Sequence, residues 1–167
     1  MSVIANTTVI SNFAGIGQLN LLKHLYGMIY ISVEVYEEIR AGLEEGYLFY
    51  DDIEQSVYPL APQGWIQLIS MVGKDELSLF GRLPSVLQRG EASCLAIAHN
   101  RNWLFLTDDK AARKVATQLG VRISGTLGCL VLGVEHNFHT LEQANRWLGE
   151  MIRLGYRSPV IDLTGFI

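Results

Sequence analysis

Leu104-Phe105-Leu106-Thr107-Asp108-Asp109-Lys110-Ala111-Ala112-Arg113 is the stretch on which the reading of this 167-residue chain turns. Three large apolar residues after Trp103 predict a short strand buried on both faces, and the polar break at Thr107, followed by Ala-rich basic sequence, predicts its exit into a helix. Two carboxylates then stand at the carboxyl end of a central strand, the edge where open α/β sheets bind ligands. An acidic pair there suits a hard cation. It also suits a helix start, with Thr107 or Asp108 as cap and Asp109 favoured by the positive end of the helix. Which role dominates depends on whether other acids converge on the same edge.

Outward from this stretch, the periodicity alternates between short apolar runs and helical patterns. Val3-Ile4-Ala5 predicts a first strand, ended by Asn6-Thr7-Thr8, with a short helix over Val9 to Gly15. Leu19, Leu22, Lys23 and Tyr26 continue at helical spacing to Gly27. Met28 to Ile31 predicts a second strand, and Ser32 caps a helix from Val33 to about Ala41. After Gly90 come a helix from Glu91 to about Asn100, the strand Trp103–Leu106 and a helix from Asp109 to Leu119. The strand Val121–Ser124 and the helices Cys129–Val134 and Leu141 to about Leu154 follow. Val160 to Leu163 adds an expected edge strand. Strands alternating with helices imply an α/β fold, with βαβ units and a mostly parallel central sheet.

The exception is residues 42–90, broken by Gly42, Gly46, Pro59, Pro62, Gly64, Gly73, Gly81 and Pro84. It reads as a less regular insertion or cover on a single domain spanning 1–167. Tyr47-Leu48-Phe49-Tyr50 suits a surface helical turn, and Trp65 to Ile69 a short strand or helix. With 49% hydrophobic and 18% charged residues, the chain can bury one sizeable core. The opening residues lack a leader pattern and no apolar run reaches the roughly 18 residues of a membrane span, so the expectation is a cytoplasmic protein with no membrane association. A net charge of −4 argues against affinity built on a basic surface, unless acids are gathered around a metal. Lys110, Arg113 and Lys114 form a local basic group that also suits a solvated helix face.

Two glutamates fall on inward helix faces. Glu38 lies three residues from Val35 and beside Ile39 on the apolar stripe, while Glu37 is rotated outward. Glu91 precedes Cys94, Leu95 and Ala98 at spacings of three, four and seven. A favourable charge in a first turn contributes only about 0.3–1 kcal/mol. Burial of an unpaired carboxylate costs several times that, so an inward Glu needs a cation, a hydrogen-bond network or a metal. With Asn6 and Asp108 or Asp109, these positions point to one sheet edge, an all-oxygen donor set that favours magnesium or manganese. Cys94 and Cys129 read as separate buried thiols, and His136 and His139 as a loop pair outside any metal site. Gly15-Ile16-Gly17 is half of a dinucleotide fingerprint without its third glycine, and no phosphate loop supports a nucleotide-binding reading.

Val3 to Ile10, Val33 to Ile39, Gly90-Glu91-Ala92-Ser93 through Ala98, and Leu106-Thr107-Asp108-Asp109 with Arg113 resemble, in order and spacing, the PIN-domain family, most closely its VapC-like toxin branch. Gly125-Thr126-Leu127-Gly128 is similar to a segment of one branch of that family. The resemblance implies a three-layer α/β/α sandwich and a Mg2+- or Mn2+-dependent endoribonuclease acting on single-stranded RNA. It also implies a homodimer, and an antitoxin partner if the chain is half of a toxin–antitoxin pair. Carried over by position, the acidic site is Asn6, Glu38, Glu91 and Asp109, with Asp108 contending for the fourth place. Thr7 or Thr8 supports the first position, and Lys110 or Arg113 contacts the RNA backbone. Asn6 departs from the family's usual aspartate; an amide oxygen ligates without adding charge, which weakens a hard-cation site. That departure motivates an alternative, a catalytically weak PIN module that binds RNA or a protein partner.

Overall fold

The computed structural model describes residues 1–48 and 50–167. Six parallel strands form its sheet: β1 (Val3–Ala5), β2 (Ile29–Ser32), β3 (Val57–Tyr58), β4 (Ile66–Ile69), β5 (Leu104–Leu106) and β6 (Ile123–Ser124), in the order β3-β4-β2-β1-β5-β6. Val3, Ile4 and Ala5 of β1 align with Leu104, Phe105 and Leu106 of β5. All three β1 side chains are buried, as a strand covered on both faces requires.

The chain leaves β1 toward β2 but leaves β5 toward β6, so the connections diverge between β1 and β5. Right-handed crossovers therefore place their helices on opposite faces. The helices α1 (Thr7–Gly15) and α2 (Asn20–Tyr26) pack with α8 (Thr126–Glu135), and α1 and α8 also pack with α9 (Leu141–Arg153). Across the sheet, α6 (Arg89–Arg101) packs over β1, β2 and β5 and against α5 (Gly73–Arg82) and α7 (Lys110–Gln118). The helices α3 (Val33–Glu44) and α4 (Tyr50–Glu54) pack on each other and on α1, and α3 also meets α6. This is the expected α/β/α architecture. Ile4, Phe13, Leu22, Ile31, Leu95 and Phe105 fill its centre with no exposure.

Two expectations change. Residues 42–90 do more than cover the domain, because β3 and β4 extend the sheet from that segment, with Ile29–Ser32 paired along Ile66–Ile69. Val160–Leu163 adds no strand: Ile161 is 84% exposed and only Leu163 is buried. There the chain turns, with Leu163 N–H donating to Asn145 Oδ1 and Thr164 N–H to Asp162 Oδ1, before a short 3-10 turn over Thr164–Phe166. The expected turn at 47–50 places Tyr50 at the start of α4, while Phe49 lies outside the described residues. Cys94 and Cys129 are buried and free. His139 is also buried, with Nε2 2.9 Å from Leu130 O and its ring 4.8 Å from that of Trp147. Among the described residues, no helix is long and apolar enough to cross a membrane.

Candidate metal centre

The divergence of connections between β1 and β5 opens a crevice at the carboxyl edge of the sheet, and Asn6 and Thr107 are the first residues past those strands. Asn6 is buried and caps α1, its Oδ1 accepting from Val9 N–H at 3.3 Å and from Thr8 Oγ1 at 3.0 Å. Its amide donates to Thr107 Oγ1 at 2.8 Å, which ties the two strand ends together. Thr107 Oγ1 also accepts from Asp109 N–H at 3.2 Å. The strand-ending and capping chemistry read from Asn6-Thr7-Thr8 thus sets the geometry of the crevice.

Asn6, Thr7, Thr8, Glu38 and Glu91 line one cavity of about 240 Å³, together with Ser11, Tyr50 and Gln88. Glu38 is half-buried as the helical phase requires, and Glu37 is exposed. One Glu38 oxygen accepts from the Thr7 hydroxyl and the other from Gly90 N–H at 3.1 Å. The glycine is needed there, since a Cβ at position 90 would lie 2.5 Å from Glu38 Oε1. Glu91, in the first turn of α6, accepts from Gln88 N–H at 3.1 Å. Burial pushes its carboxyl up to about 7, the Gln88 N–H opposes that, and the charges of Asp109 and Glu38 add to the rise. A larger cavity of about 430 Å³ lies by Tyr36 and Arg40; it too is lined by two carboxylates, Asp51 and Glu54, but there Glu54 is paired with Arg40 at 2.9 Å.

The adjacent aspartates at the end of β5 separate. Asp109 caps α7, accepting from Ala112 N–H at 2.8 Å, and its charge acts on Glu91. Asp108 turns toward α8, where Oδ1 accepts from Thr126 N–H at 2.8 Å and Oδ2 from Thr126 Oγ1 at 2.5 Å and Asn12 Nδ2 at 3.2 Å. Close approach is possible because residue 125 is glycine; a Cβ there would lie 2.5 Å from Asp108 Oδ1. Arg113 donates to Thr107 O at 2.7 Å and Ser124 O at 3.4 Å, bracing β5 against β6, whereas Lys110 is exposed at the start of α7.

Ser11, Tyr50, Gln88 and the Asn6–Thr107 link escape a reading based on acids. Thr107 carried a signal as the polar break after β5, Gly90 as the glycine before an inward Glu, and Tyr50 as one of the aromatics of residues 42–90, which suit a wall over the site, a dimer contact or, by default, core packing; Ser11 and Gln88 carried none. The donor set is all oxygen, and carboxylates crowded together without a cation are relieved by one, so the residues fit a hard divalent ion. Among the described residues, no three His, Cys, Asp or Glu side chains already stand close enough to hold one.

A family model described as PIN domain matches residues 2–161. The solved structure of a PilT N-terminus domain protein from the hyperthermophilic archaeon Sulfolobus solfataricus P2 is similar in fold. The likeness has a TM-score of 0.54 at 18% identity, over 83% of this chain and 98% of that one. No curated protein matches the chain significantly.

Proposed function

This chain belongs to the PIN-domain family, and from that premise we propose that it is a metal-dependent endoribonuclease working at the crevice between β1 and β5. The observation that carries the reading is the convergence of Asn6, Glu38 and Glu91 on one cavity, with Asp109 close enough to act on Glu91. Glu38, Glu91 and Asp109, with the Asn6 amide oxygen, would hold magnesium or manganese. When bound, such an ion neutralises phosphate charge and acidifies water. The Thr7 hydroxyl and Gly90 N–H orient Glu38, while Val9 N–H and Thr8 aim Asn6 Oδ1. Asp108 serves this site as a positioning residue, since its oxygens are occupied by Asn12 and Thr126. Lys110 offers an exposed ammonium to the RNA backbone, and Arg113 only those N–H groups that Thr107 and Ser124 leave.

Asn6 favours a second reading, a PIN module that binds RNA or a protein partner and cleaves weakly. It adds no charge to the ligand set, and its oxygen already serves as a helix cap. The deciding experiment compares cleavage of a single-stranded RNA panel with Mg2+ or Mn2+ by the native chain, Glu91→Gln and Asn6→Asp. The nuclease reading expects cleavage by the native chain and none by Glu91→Gln. Cleavage by Asn6→Asp alone supports the second reading. Undiminished cleavage by Glu91→Gln rejects the site. Homodimer formation, a cytoplasmic location and pairing with an antitoxin belong to the same proposal; the first is checked by sedimentation of the purified chain.

A further inference from the structure

We propose that Ser93 is a positioning residue for the acidic cavity: with Ser32 it pins α6 to α3 and so fixes the separation of Glu91 from Glu38. This rests on the reading of that cavity as a metal site. Ser32 ends β2 and caps α3, its Oγ accepting from Val35 N–H at 3.1 Å. The Ser93 hydroxyl, one turn into α6, is hydrogen-bonded to Ser32 Oγ at 2.7 Å and lies 2.9 Å from the Gly90 carbonyl. Both serines are wholly buried. Gly90 N–H in turn donates to Glu38 Oε1 at 3.1 Å, so the two helices that carry Glu38 and Glu91 are tied together at two places.

The helix α6 does not need this serine to form. Ser93 caps nothing, and inside a helix serine is a poorer former than alanine, which already stands at Ala92, Ala96 and Ala98 of the same helix. Exchange of a buried hydrogen-bonded pair for apolar groups of like shape can be nearly neutral for stability, so the contribution of the pair is position. Its surroundings agree. Apart from Glu76 and His139, the buried polar side chains among the described residues are Asn6, Ser32, Ser93, Thr107 and Thr126, all at the carboxyl edge of the sheet. The pin also works against a repulsion, because the charge of Glu38 acts on Glu91 and like charges on separate helices push those helices apart. Carboxylates held at a fixed separation before an ion arrives need not be gathered when it binds.

The test is calorimetric titration of Mg2+ and of Ca2+ into the full chain, comparing native protein, Ser93→Ala, Ser32→Ala, the double substitution and Glu91→Gln, each checked for folding by circular dichroism. Mg2+ demands near-ideal octahedral geometry, whereas Ca2+ accepts a flexible shell. The ratio of the two affinities therefore reads ligand placement, and a merely structural role leaves it unmoved. Ser93→Ala is expected to weaken Mg2+ binding about tenfold and Ca2+ binding less than about twofold. Ser32→Ala, which removes the pin from the α3 side, should do the same, and the double substitution no more, since the same bond is lost in all three. Native Mg2+ affinity in Ser93→Ala or Ser32→Ala, equal losses for both ions, or losses that multiply in the double substitution overturn the pin. If Mg2+ binding then still depends on Glu91, the metal site stands without it. A native chain that binds no Mg2+, or Glu91→Gln that binds it as the native chain does, overturns both.

Discussion

Glu76 and Glu91 are two glutamates in the first turns of neighbouring helices, and their surroundings push them in opposite directions. Glu76 is 5% exposed, and burial alone would raise its pKa. The Arg101 guanidinium at 2.6 and 3.1 Å and the Val72 N–H at 2.7 Å hold it below the usual carboxylate range instead. Arg101 is itself seated 5.1 Å from the ring centroid of Trp103. Among the described residues Glu91 has one backbone donor, no cation, and two other carboxylates acting on it. Asp108 sides with Glu76, since three donors satisfy its oxygens. A carboxylate whose partners are all in place stabilises the fold, whereas one crowded by its own kind is arranged for something that arrives from outside.

The largest separation between the two kinds appears in activity. Glu91→Gln should reduce RNA cleavage by about 10³-fold or more, since it removes a ligand charge. Its helix, which folds with the amide in place, should remain intact by circular dichroism. Arg101→Met leaves Glu76 buried without its cation and should cost about 3 kcal/mol in urea unfolding. Cleavage at a temperature where the variant is folded should be unchanged. Asp108→Ala strands the Thr126 N–H, the Thr126 hydroxyl and the Asn12 amide, and should cost about 2 kcal/mol by the same measurement.

The smallest effect has the opposite sign. A carboxyl raised in the folded state contributes stability that is present below its unfolded value and lost as pH rises through the folded one. For Glu91 that window runs from about 4.5 to about 7. At pH 8 the ionised group therefore weighs against the fold, and Glu91→Gln should stabilise the metal-free protein by about 1 kcal/mol, a figure reduced for the water that reaches this half-exposed site. The gain should vanish at pH 4.5. A loss of stability at pH 8 would show that Glu91, like Glu76, is a structural group.

How much of this was legible in sequence follows from what local pattern encodes. The buried runs Val3–Ala5, Ile29–Ile31 and Leu104–Leu106 announced the central strands, since each is apolar on both faces. Helical phase placed Glu38 inward and Glu37 outward. Strand β4 was legible as one of two alternatives, a short strand or a helix over Trp65 to Ile69, whereas β3 was hidden because it has only two residues and Pro59, Pro62 and Gly64 follow it. The apolar pattern of Val160–Leu163 suggested a strand, but the core offers a site for Leu163 alone. The division of labour between Asp108 and Asp109 was out of reach, because it is set by Thr126 and Asn12, which only the folded chain brings to Asp108. Tyr50 was legible only as one of several aromatics in residues 42–90 suited to core packing, a dimer contact or a wall over the site; its place in the cavity lining needed the fold.

The most direct test of the central claim is calorimetric titration of Mn2+ into the native chain at pH 8 and pH 6, repeated with Glu91→Gln. With a ligand that ionises near 7, protons compete with the metal, so affinity should fall about tenfold from pH 8 to pH 6. Glu91→Gln should bind far more weakly and lose that pH dependence. Equal Mn2+ affinity in the native chain and Glu91→Gln at pH 8 would contradict the claim that these crowded carboxylates are arranged to hold a cation.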